Sequence, residues 1–310
     1  MAGRRDRPAA PPPRSPAETG LVISHLGKGL AIEAADGRIL LCHTRRRLGE
    51  VAVGDRVLWQ VCEGDQGRVE AVLPRSSLLT RPGQGGRLRY VAANLDRVYV
   101  VIAPLPEPDW LLLDQYLAVC ERRGIAAEIL YNKADLPGQD ETCQDLLADY
   151  RRSAYPVNRV SAATGQGLDQ LATQLRGHCS MLAGQSGVGK SSLTAALVPD
   201  RNLRVGEISG KSGLGRHTTT TATLYHLPGG GDLIDSPGVA VFGLAQIEER
   251  ELPLGFREFH PWLEHCRFND CRHADDKDCA VRAAVETGVI SRHRYRRYLK
   301  LRERIVAGAP

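Results

Sequence analysis

The chain has 310 residues, with 41 Lys and Arg against 36 Asp and Glu and a formal net charge of +5. This length exceeds one typical domain, and a hydrophobic content of 42% supplies a genuine core, which excludes a wholly disordered chain. No apolar run reaches the length of a membrane-spanning helix. Because the net charge is small, any affinity for nucleic acid must come from local clusters of basic residues.

Residues 1–19 are rich in Pro, Ala and Arg and predict a disordered, mildly basic tail. Arg4 and Arg5 form a twin-arginine pair, but no hydrophobic segment follows them, so a secretion signal is not indicated. We therefore expect a cytoplasmic protein.

The segment from 20 to 83 predicts a small β-barrel, because several short strands with turn signals between them are typical of that fold. Its apolar runs cover residues 21–23, 38–42, 55–61 and 68–73. Trp59 is the only aromatic residue of the segment and is either a stacking platform for bases or part of the core. Arg45, Arg46 and Arg47 fit a grip on RNA phosphate as well as they fit an ordinary solvated run. If the barrel binds RNA, we expect it to read shape and charge.

Between residues 84 and 244 strands alternate with helices, which predicts a doubly wound α/β domain with a parallel sheet. Residues 97–103 have the continuous apolar character of a buried strand. Asp109 is placed to cap the following helix, and Gly124 to end it.

The first motif of this region is the guanine-recognition pattern NKxD, formed by Asn132, Lys133, Ala134 and Asp135. The carboxylate of Asp135 can accept two hydrogen bonds from the guanine N1–H and exocyclic amine, a donor pair that adenine lacks. Ser161 and Ala162 follow the next predicted strand, where a backbone N–H would reach the guanine carbonyl. On its own, an Asn-Lys pair that closes a strand is also a common surface turn.

The second motif is GxxxxGKS, a phosphate-binding loop. It comprises Gly184, Gln185, Ser186, Gly187, Val188, Gly189, Lys190 and Ser191, and the adjoining Ser192 is included in the predicted site. In such a loop consecutive N–H groups converge on phosphate oxygens, while Lys190 reaches the β and γ phosphates and Ser191 ligates magnesium. An apolar strand over 179–183 and a helix over 191–197 flank the loop, as the motif requires.

A third motif, DxxG, runs from Asp235 to Gly238. Its Asp235 is expected to organise magnesium through water, and the N–H of Gly238 to meet the γ phosphate. Together the motifs predict a site for GTP with magnesium.

The glycine-flanked segment 213–220 lies where the first switch loop of a GTPase is expected. It holds three threonines, Thr218 to Thr220, of which Thr219 is chosen here as the magnesium ligand. His217 is the internal candidate to orient the attacking water, and an exposed loop histidine is an equally good reading. We assign catalytic roles to Lys190, Thr219 and His217. Because Val239 follows DxxG and cannot hydrogen-bond, we expect slow intrinsic hydrolysis that accelerates when a partner orders the switches.

The order of the motifs is circularly permuted, since NKxD and Ser161-Ala162 come last in an ordinary GTPase and precede the phosphate loop here. Joined termini and a new cut preserve a core, because domain ends usually lie close together on the surface. The chain that leaves DxxG then runs directly into the C-terminal module.

That module, residues 245–310, contains a C-x4-C-x-H-x5-C cluster of Cys266, Cys271, His273 and Cys279. Three thiolates and an imidazole complete a tetrahedral shell without an open position, which predicts structural zinc. The competing reading is a disulfide pair plus a spare thiol. The other cysteines, at positions 42, 62, 120, 143 and 179, are scattered, which favours zinc.

A helix over 291–305 closes the module, with Tyr298 and Leu301 on its apolar side and Arg292, Arg296 and Lys300 on the other. The basic side would suit rRNA, whereas an ordinary solvated face explains the apolar stripe but not the density of charge.

The permuted motifs and the cluster together resemble the ribosome small subunit-dependent GTPase A (RsgA) family. The resemblance covers nearly everything after the tail. It implies an N-terminal OB-fold, a central GTPase domain and a mainly helical zinc-binding domain. It also implies a GTPase that binds the small ribosomal subunit and its rRNA and assists late maturation, with turnover stimulated by the subunit. We expect a monomer without a membrane partner.

Two alternatives remain at this point. A GTP-controlled RNA-binding switch that acts on another RNA would keep the same residues and make hydrolysis incidental. A P-loop kinase for a small metabolite is the other, but it leaves NKxD without a role.

Overall fold

The computed structural model describes residues 17–26, 29–45, 47–62, 66–83, 87–136, 141–200, 222–236 and 247–308. Within these ranges, none of the helices combines the length and the apolar character that crossing a membrane would require.

The N-terminal part forms the predicted barrel. Its strands are β1 (Glu18–Leu26), β2 (Gly29–Ala34), β3 (Ile39–Thr44), β4 (Arg56–Val61) and β5 (Gln66–Val72). They follow the order β1-β2-β3-β5-β4, and the barrel closes because β4 pairs back with β1. Trp59 is fully buried in the barrel core with Val22 and Ile32, so its reading as a core residue is confirmed.

The predicted tail of residues 1–19 is wrong at its C-terminal end. Glu18 and Thr19 already belong to β1, where they pair with Trp59 and Leu58 of β4. Because these pairs close the barrel, the strand begins before the apolar run that marks it in the sequence.

A two-stranded hairpin, β6 (Leu78–Pro82) and β7 (Leu88–Ala93), follows the barrel. The predicted division between residues 83 and 84 falls between its paired strands. Leu79 and Val91 pack into the large core that also fills the central part of the chain, which explains why the hairpin leaves the barrel.

The central part is the predicted α/β unit. Its elements are β8 (Arg97–Ile102), α1 (Trp110–Arg123), β9 (Ala126–Tyr131), α2 (Glu141–Arg152), β10 (Val157–Arg159), α3 (Leu168–Leu175), β11 (Cys179–Ala183), α4 (Lys190–Leu197), β12 (Thr223–His226) and β13 (Asp232–Asp235). The strand order is β10-β9-β8-β11-β13-β12. All neighbours are parallel except β12, which runs antiparallel to β13. Asp109 caps α1 by accepting from the Leu112 N–H, and Gly124 ends it at φ +64°, as predicted.

The barrel and the central sheet are continuous, which the sequence did not indicate. β12 pairs with β1 at Ser24 and Thr223, so the two sheets share an edge. Beside this pair His226 lies between two carboxylates, 2.6 Å from Asp232 of β13 and 2.5 Å from Glu33 of the barrel. Hydrogen bonds to Asp232 and to Glu33 raise the pKa of His226 to about 9.

The C-terminal part is mainly helical, as predicted. It contains 3-10 segments Glu249–Gly255 and Arg257–Phe259 and the helices α5 (His260–Leu263), α6 (Ala280–Glu286) and α7 (Arg292–Val306). Phe256, Phe259 and Tyr298 pack together as its aromatic core, with ring centroids 5.0 to 5.4 Å apart.

This C-terminal lobe is fixed on α1 by a buried ionic cluster. Arg294 of α7 is 1% exposed and donates to Glu258 through Nε at 2.7 Å and through Nη2 at 3.1 Å. Its remaining nitrogen bonds to Asp114 of α1, which also accepts from Arg297 at 2.5 Å and from the Tyr150 hydroxyl at 2.6 Å. Each buried charge therefore has a partner of opposite sign.

Candidate nucleotide site and metal centre

The motif residues gather at one edge of the central sheet. Asn132 follows β9, Ser161 lies just beyond β10, Gly184 follows β11, and Asp235 ends β13. Because these strands are parallel, their carboxyl ends meet at the same edge, where open α/β sheets bind their ligands. Motifs distant in sequence thus face one pocket region.

Asn132 connects three loops of this edge. Its side chain is buried, and its Nδ2 donates to the carbonyl of Val188 in the phosphate loop at 2.8 Å. Its Oδ1 accepts from the N–H of Ala162 at 3.2 Å. The amide therefore holds the phosphate loop and the Ser161-Ala162 loop in a fixed relation to the guanine motif.

Lys133 lies at φ +59°, and its Nζ donates to the carbonyls of Leu105 and Gly187, at 2.7 and 2.8 Å. The ammonium therefore bridges the loop after β8 and the phosphate loop. Asp135 is exposed beside it, where a ligand can reach the carboxylate. Ala134 donates its N–H to the carbonyl of Val160 at 3.1 Å, which ties the motif to the strand end below Ser161.

The loop around Ser161 is tightly turned. Its N–H donates to the carbonyl of Gln166 at 2.9 Å, and its hydroxyl accepts from the Thr164 N–H at 3.1 Å. With the bond from Ala162 to Asn132, the N–H groups of both predicted residues engage protein atoms. A contact from this loop to guanine stays a prediction.

Two glycines of the phosphate loop are required by geometry. At Gly184, φ is +138° and an added Cβ would lie 2.2 Å from the carbonyl oxygen of Val101. At Gly189, φ is +94° and the Cβ would lie 2.3 Å from Nδ2 of Asn132. Any side chain at Gly189 would thus displace the amide that organises the edge.

Lys190 begins α4 and folds back over the loop, so that Nζ donates to the carbonyls of Gly184 and Gln185, at 2.7 Å each. Burial lowers the pKa of Lys190, and the charge of Asp235 opposes that shift. The ammonium of the phosphate loop and the carboxylate of DxxG therefore act on each other. Ser186 and Ser192 are exposed, whereas Val188 is buried beneath the loop.

Four of the predicted positions, His217, Thr219, Gly238 and Val239, lie outside the described residues, as do the neighbouring threonines. Their roles stay predictions.

Sequence reasoning placed Gln185 in the phosphate loop but missed its contacts. Its Oε1 accepts from the Asp109 N–H at 2.6 Å, and its Nε2 donates to the carbonyl of Glu107 at 2.8 Å. The segment before α1 is thus bound to the phosphate loop. Nothing in the local sequence indicates this pairing, because the two partners are separated by more than seventy positions.

The predicted metal ligands come together in the C-terminal lobe. The ligand atoms of Cys266, Cys271, His273 and Cys279 all lie within 4.8 Å of one another. His273 directs Nδ1 at the cluster, 3.5 Å from the Sγ atoms of Cys266 and Cys279. Burial raises the pKa of the Cys271 thiol to about 12, so a cation is the partner that would hold it as a thiolate. The competing disulfide is not formed, since Cys266, Cys271 and Cys279 are free thiols.

A phosphate loop and a guanine motif in permuted order, on a sheet flanked by a barrel and a Cys/His lobe, define a circularly permuted GTPase. Residues 72–245 match the model of the RsgA GTPase family. The chain belongs to the RsgA GTPase family, and it is a GTP-hydrolysing enzyme of that class.

Curated relatives agree along most of the chain. A protein of Azotobacter vinelandii is 46% identical over 289 residues, which span 91% of this chain and 84% of the relative. One of Pseudomonas aeruginosa is 47% identical over the same shares. Both are named small ribosomal subunit biogenesis GTPase RsgA.

Solved structures share the architecture. YjeQ from Thermotoga maritima superposes with a TM-score of 0.75 at 34% identity, over 94% of this chain and 99% of its own. YloQ, a circularly permuted GTPase, superposes with a TM-score of 0.73 at 26% identity, over 97% and 99%.

Proposed function

We propose that this protein hydrolyses GTP as a cytoplasmic, monomeric assembly factor of the small ribosomal subunit, binds the subunit through its rRNA, and turns over GTP faster when bound. The observation that carries the proposal is the name shared by relatives that match 91% of the chain at 46% identity or more. The gathering of the nucleotide motifs at one sheet edge supports it from the side of the chemistry.

The nucleotide contacts follow from that edge. Asp135, exposed beside the pocket region, reads guanine through two charge-assisted hydrogen bonds. The backbone N–H groups from Gly184 to Ser191 hold the phosphates, and Lys190 exchanges its bonds to loop carbonyls for phosphate oxygens. Asn132 and Lys133 contribute by fixing the loops rather than by reading the base.

Magnesium fits the donor set at the same edge. Ser191 in the first turn of α4 and Asp235 at the end of β13 supply a hydroxyl and a carboxylate, both hard oxygen donors of the kind this ion prefers. When bound, the ion neutralises charge that develops on the phosphates. Thr219 completes the set in this proposal. Lys190 adds a second positive charge beside the transferred group.

Zinc fits the Cys/His cluster. Tetrahedral bonds of about 2.3 Å to sulfur and 2.1 Å to nitrogen imply sulfur–sulfur distances of about 3.8 Å and sulfur–nitrogen distances of about 3.6 Å. Cys266 and Cys279 have Sγ atoms 3.9 Å apart, and His273 Nδ1 is 3.5 Å from each. Four protein ligands leave no open position, so the role is structural.

Turnover on the subunit is the direct test. Purified small subunits should accelerate GTP hydrolysis, and the protein should sediment with them in a non-hydrolysable GTP analogue more than in GDP. Asp135→Ala should lower GTP affinity by roughly a hundredfold, because two hydrogen bonds to a charged group are lost, and leave ATP affinity unchanged. Absence of stimulation together with retained binding to another RNA would instead establish the RNA-switch alternative. Equal affinity of the unmodified protein for ATP and GTP would refute the guanine site.

A further inference from the structure

A cavity of about 580 Å³ lies between the start of α1 and the basic side of α7. Pro108, Trp110 and Leu111 form one wall, and His293, Arg296 and Lys300 stand on the other. These three basic residues recur at helical spacing, so they share one face of α7. The cavity therefore joins an apolar, aromatic wall to a cationic one.

The cations of this wall are not consumed by the fold. Arg294, Arg297 and Arg302 of the same helix all pair with carboxylates. In contrast, Arg296 and Lys300 are exposed and form no ion pair with any residue in the described part of the chain. The acidic residues of the lining are Asp109, which caps α1, and Glu303. An anionic occupant would supply the missing counter-charge.

Trp110 is a rigid part of the apolar wall. Its ring stacks on the fully buried Tyr150, with centroids 6.0 Å apart and planes 18° from parallel. It is itself only half-buried, so part of the indole faces the cavity. A fixed aromatic surface beside free cations is the combination that binds a base and its phosphates.

The same wall is attached to the phosphate loop. Gln185 holds Glu107 and Asp109 through two hydrogen bonds, and Lys133 bonds both Leu105 and Gly187. The short segment from Leu105 to Asp109 thus has the cavity on one side and the nucleotide loops on the other. A ligand that moves Trp110 or Asp109 would move this segment.

We propose that the cavity between α1 and α7 binds one nucleotide of a single-stranded RNA, with its base against Trp110 and its phosphates against Arg296 and Lys300, and that Gln185 transmits this binding to the phosphate loop. The assignment of RNA as the ligand rests on the proposed function. It adds a defined site and a route by which the subunit would affect GTP turnover.

The binding site is tested with a fluorescently labelled, single-stranded oligoadenylate and the full chain. Arg296→Ala with Lys300→Ala should weaken binding at least about tenfold and reduce the slope of log affinity against log salt by about two, one for each lost phosphate contact. The matched control removes Arg292 and Arg304, exposed cations of the same helix outside the cavity lining. It should weaken binding by less than about threefold, because those charges are more distant and screened.

A second variant, Trp110→Leu, separates stacking from charge. It should weaken oligoadenylate binding at least about fivefold while the salt slope stays the same, since a base contact releases no counterions. Zinc content and thermal unfolding establish that each variant is folded. Equal losses in the two double variants, or binding of free AMP as tight as that of the oligonucleotide, would overturn the RNA site.

Transmission is tested by the ratio of oligoadenylate affinities with a non-hydrolysable GTP analogue and with GDP. In the unmodified protein this ratio should differ from one by about fivefold or more, because linked sites bias each other equally. In Gln185→Ala, measured at saturating nucleotide, it should fall below about twofold. A ratio of one in the unmodified protein, or an unchanged ratio in Gln185→Ala, would overturn the route through Gln185. Failure of small subunits to stimulate turnover would count against the proposed function alone, because the oligonucleotide experiments do not use subunits.

Discussion

The barrel and the C-terminal lobe are attached to the central unit in different ways. The barrel meets it at β12, through the Ser24–Thr223 pair and the His226 bridge between Glu33 and Asp232. The lobe meets it along α1, where apolar side chains share one core with the central unit and Arg294 is paired inside the contact. Polar edge contacts hold the first junction, whereas burial holds the second.

The comparison indicates which neighbour can change position at low cost. A junction of a few partly exposed polar contacts contributes little free energy, while a shared core with buried charges resists separation. The C-terminal lobe should therefore follow α1 and the nucleotide edge as one body. The barrel is the part whose orientation a partner can change.

The largest effect should come from loss of the metal centre. Cys279→Ser removes one of the ligands, and structural zinc sites contribute of the order of 10 kcal/mol to folding. We expect zinc content to fall and amide protection to disappear between α5 and α6. Amides of the barrel should keep their protection.

Cys62→Ser is the matched control, since Cys62 lies in the barrel far from the cluster in sequence. Retention of zinc by Cys279→Ser would show that this thiol is not a ligand.

The next effect should come from the buried ion cluster. Arg294→Met leaves Glu258 without its bidentate partner inside the contact, so the free energy of unfolding in urea should fall by about 3–5 kcal/mol. Arg302→Met makes the same change on the same helix at a partly exposed pair with Glu249, and should cost about 1 kcal/mol or less. Similar losses in both variants would mean that the lobe junction does not depend on buried charge.

The barrel junction should respond to pH. The pKa of His226 is raised to about 9 in the folded protein, above its unfolded value near 6.5. Its stabilising contribution is therefore complete below about pH 6.5 and is lost as the pH rises through about 9. The difference in unfolding free energy between the unmodified protein and His226→Ala should be about 1 kcal/mol at pH 6, given solvent screening, and should shrink by pH 10.

His178→Ala serves as the control, because His178 has a carboxylate only at 3.9 Å. A difference for His226→Ala that stays constant from pH 6 to pH 10 would contradict the charged bridge.

The smallest effect should come from the strand pair itself. The Ser24 hydroxyl is buried, lies 3.2 Å from the Thr223 hydroxyl and donates to the Ala222 carbonyl at 3.2 Å. Ser24→Ala should cost about 1 kcal/mol in unfolding free energy, the contribution of one buried hydrogen bond. An unchanged urea midpoint would show that the hydroxyls contribute nothing to the junction.

Much of the nucleotide edge could be predicted from the sequence, because each motif follows a strand whose apolar run is visible locally. The Cys/His cluster was predictable for the same reason, since its ligands lie within fourteen residues. The helix over 291–305 was predicted with the correct faces, yet Arg294 was not recognised as buried. Its burial depends on Asp114, 180 positions earlier, and helical periodicity carries no information about such a partner. The shared edge of β1 and β12 was missed in the same way.

Pairing between Ser24 and Thr223 spans 199 positions, which has a consequence for synthesis on the ribosome. The barrel strands emerge early, but β12 is made last among the strands that meet them. At about 5–20 residues per second, the nascent barrel waits roughly 10–40 seconds for this neighbour. During that interval the edge of β1 around Ser24 is open to other chains, so translation speed and chaperones should influence the yield of correctly joined protein.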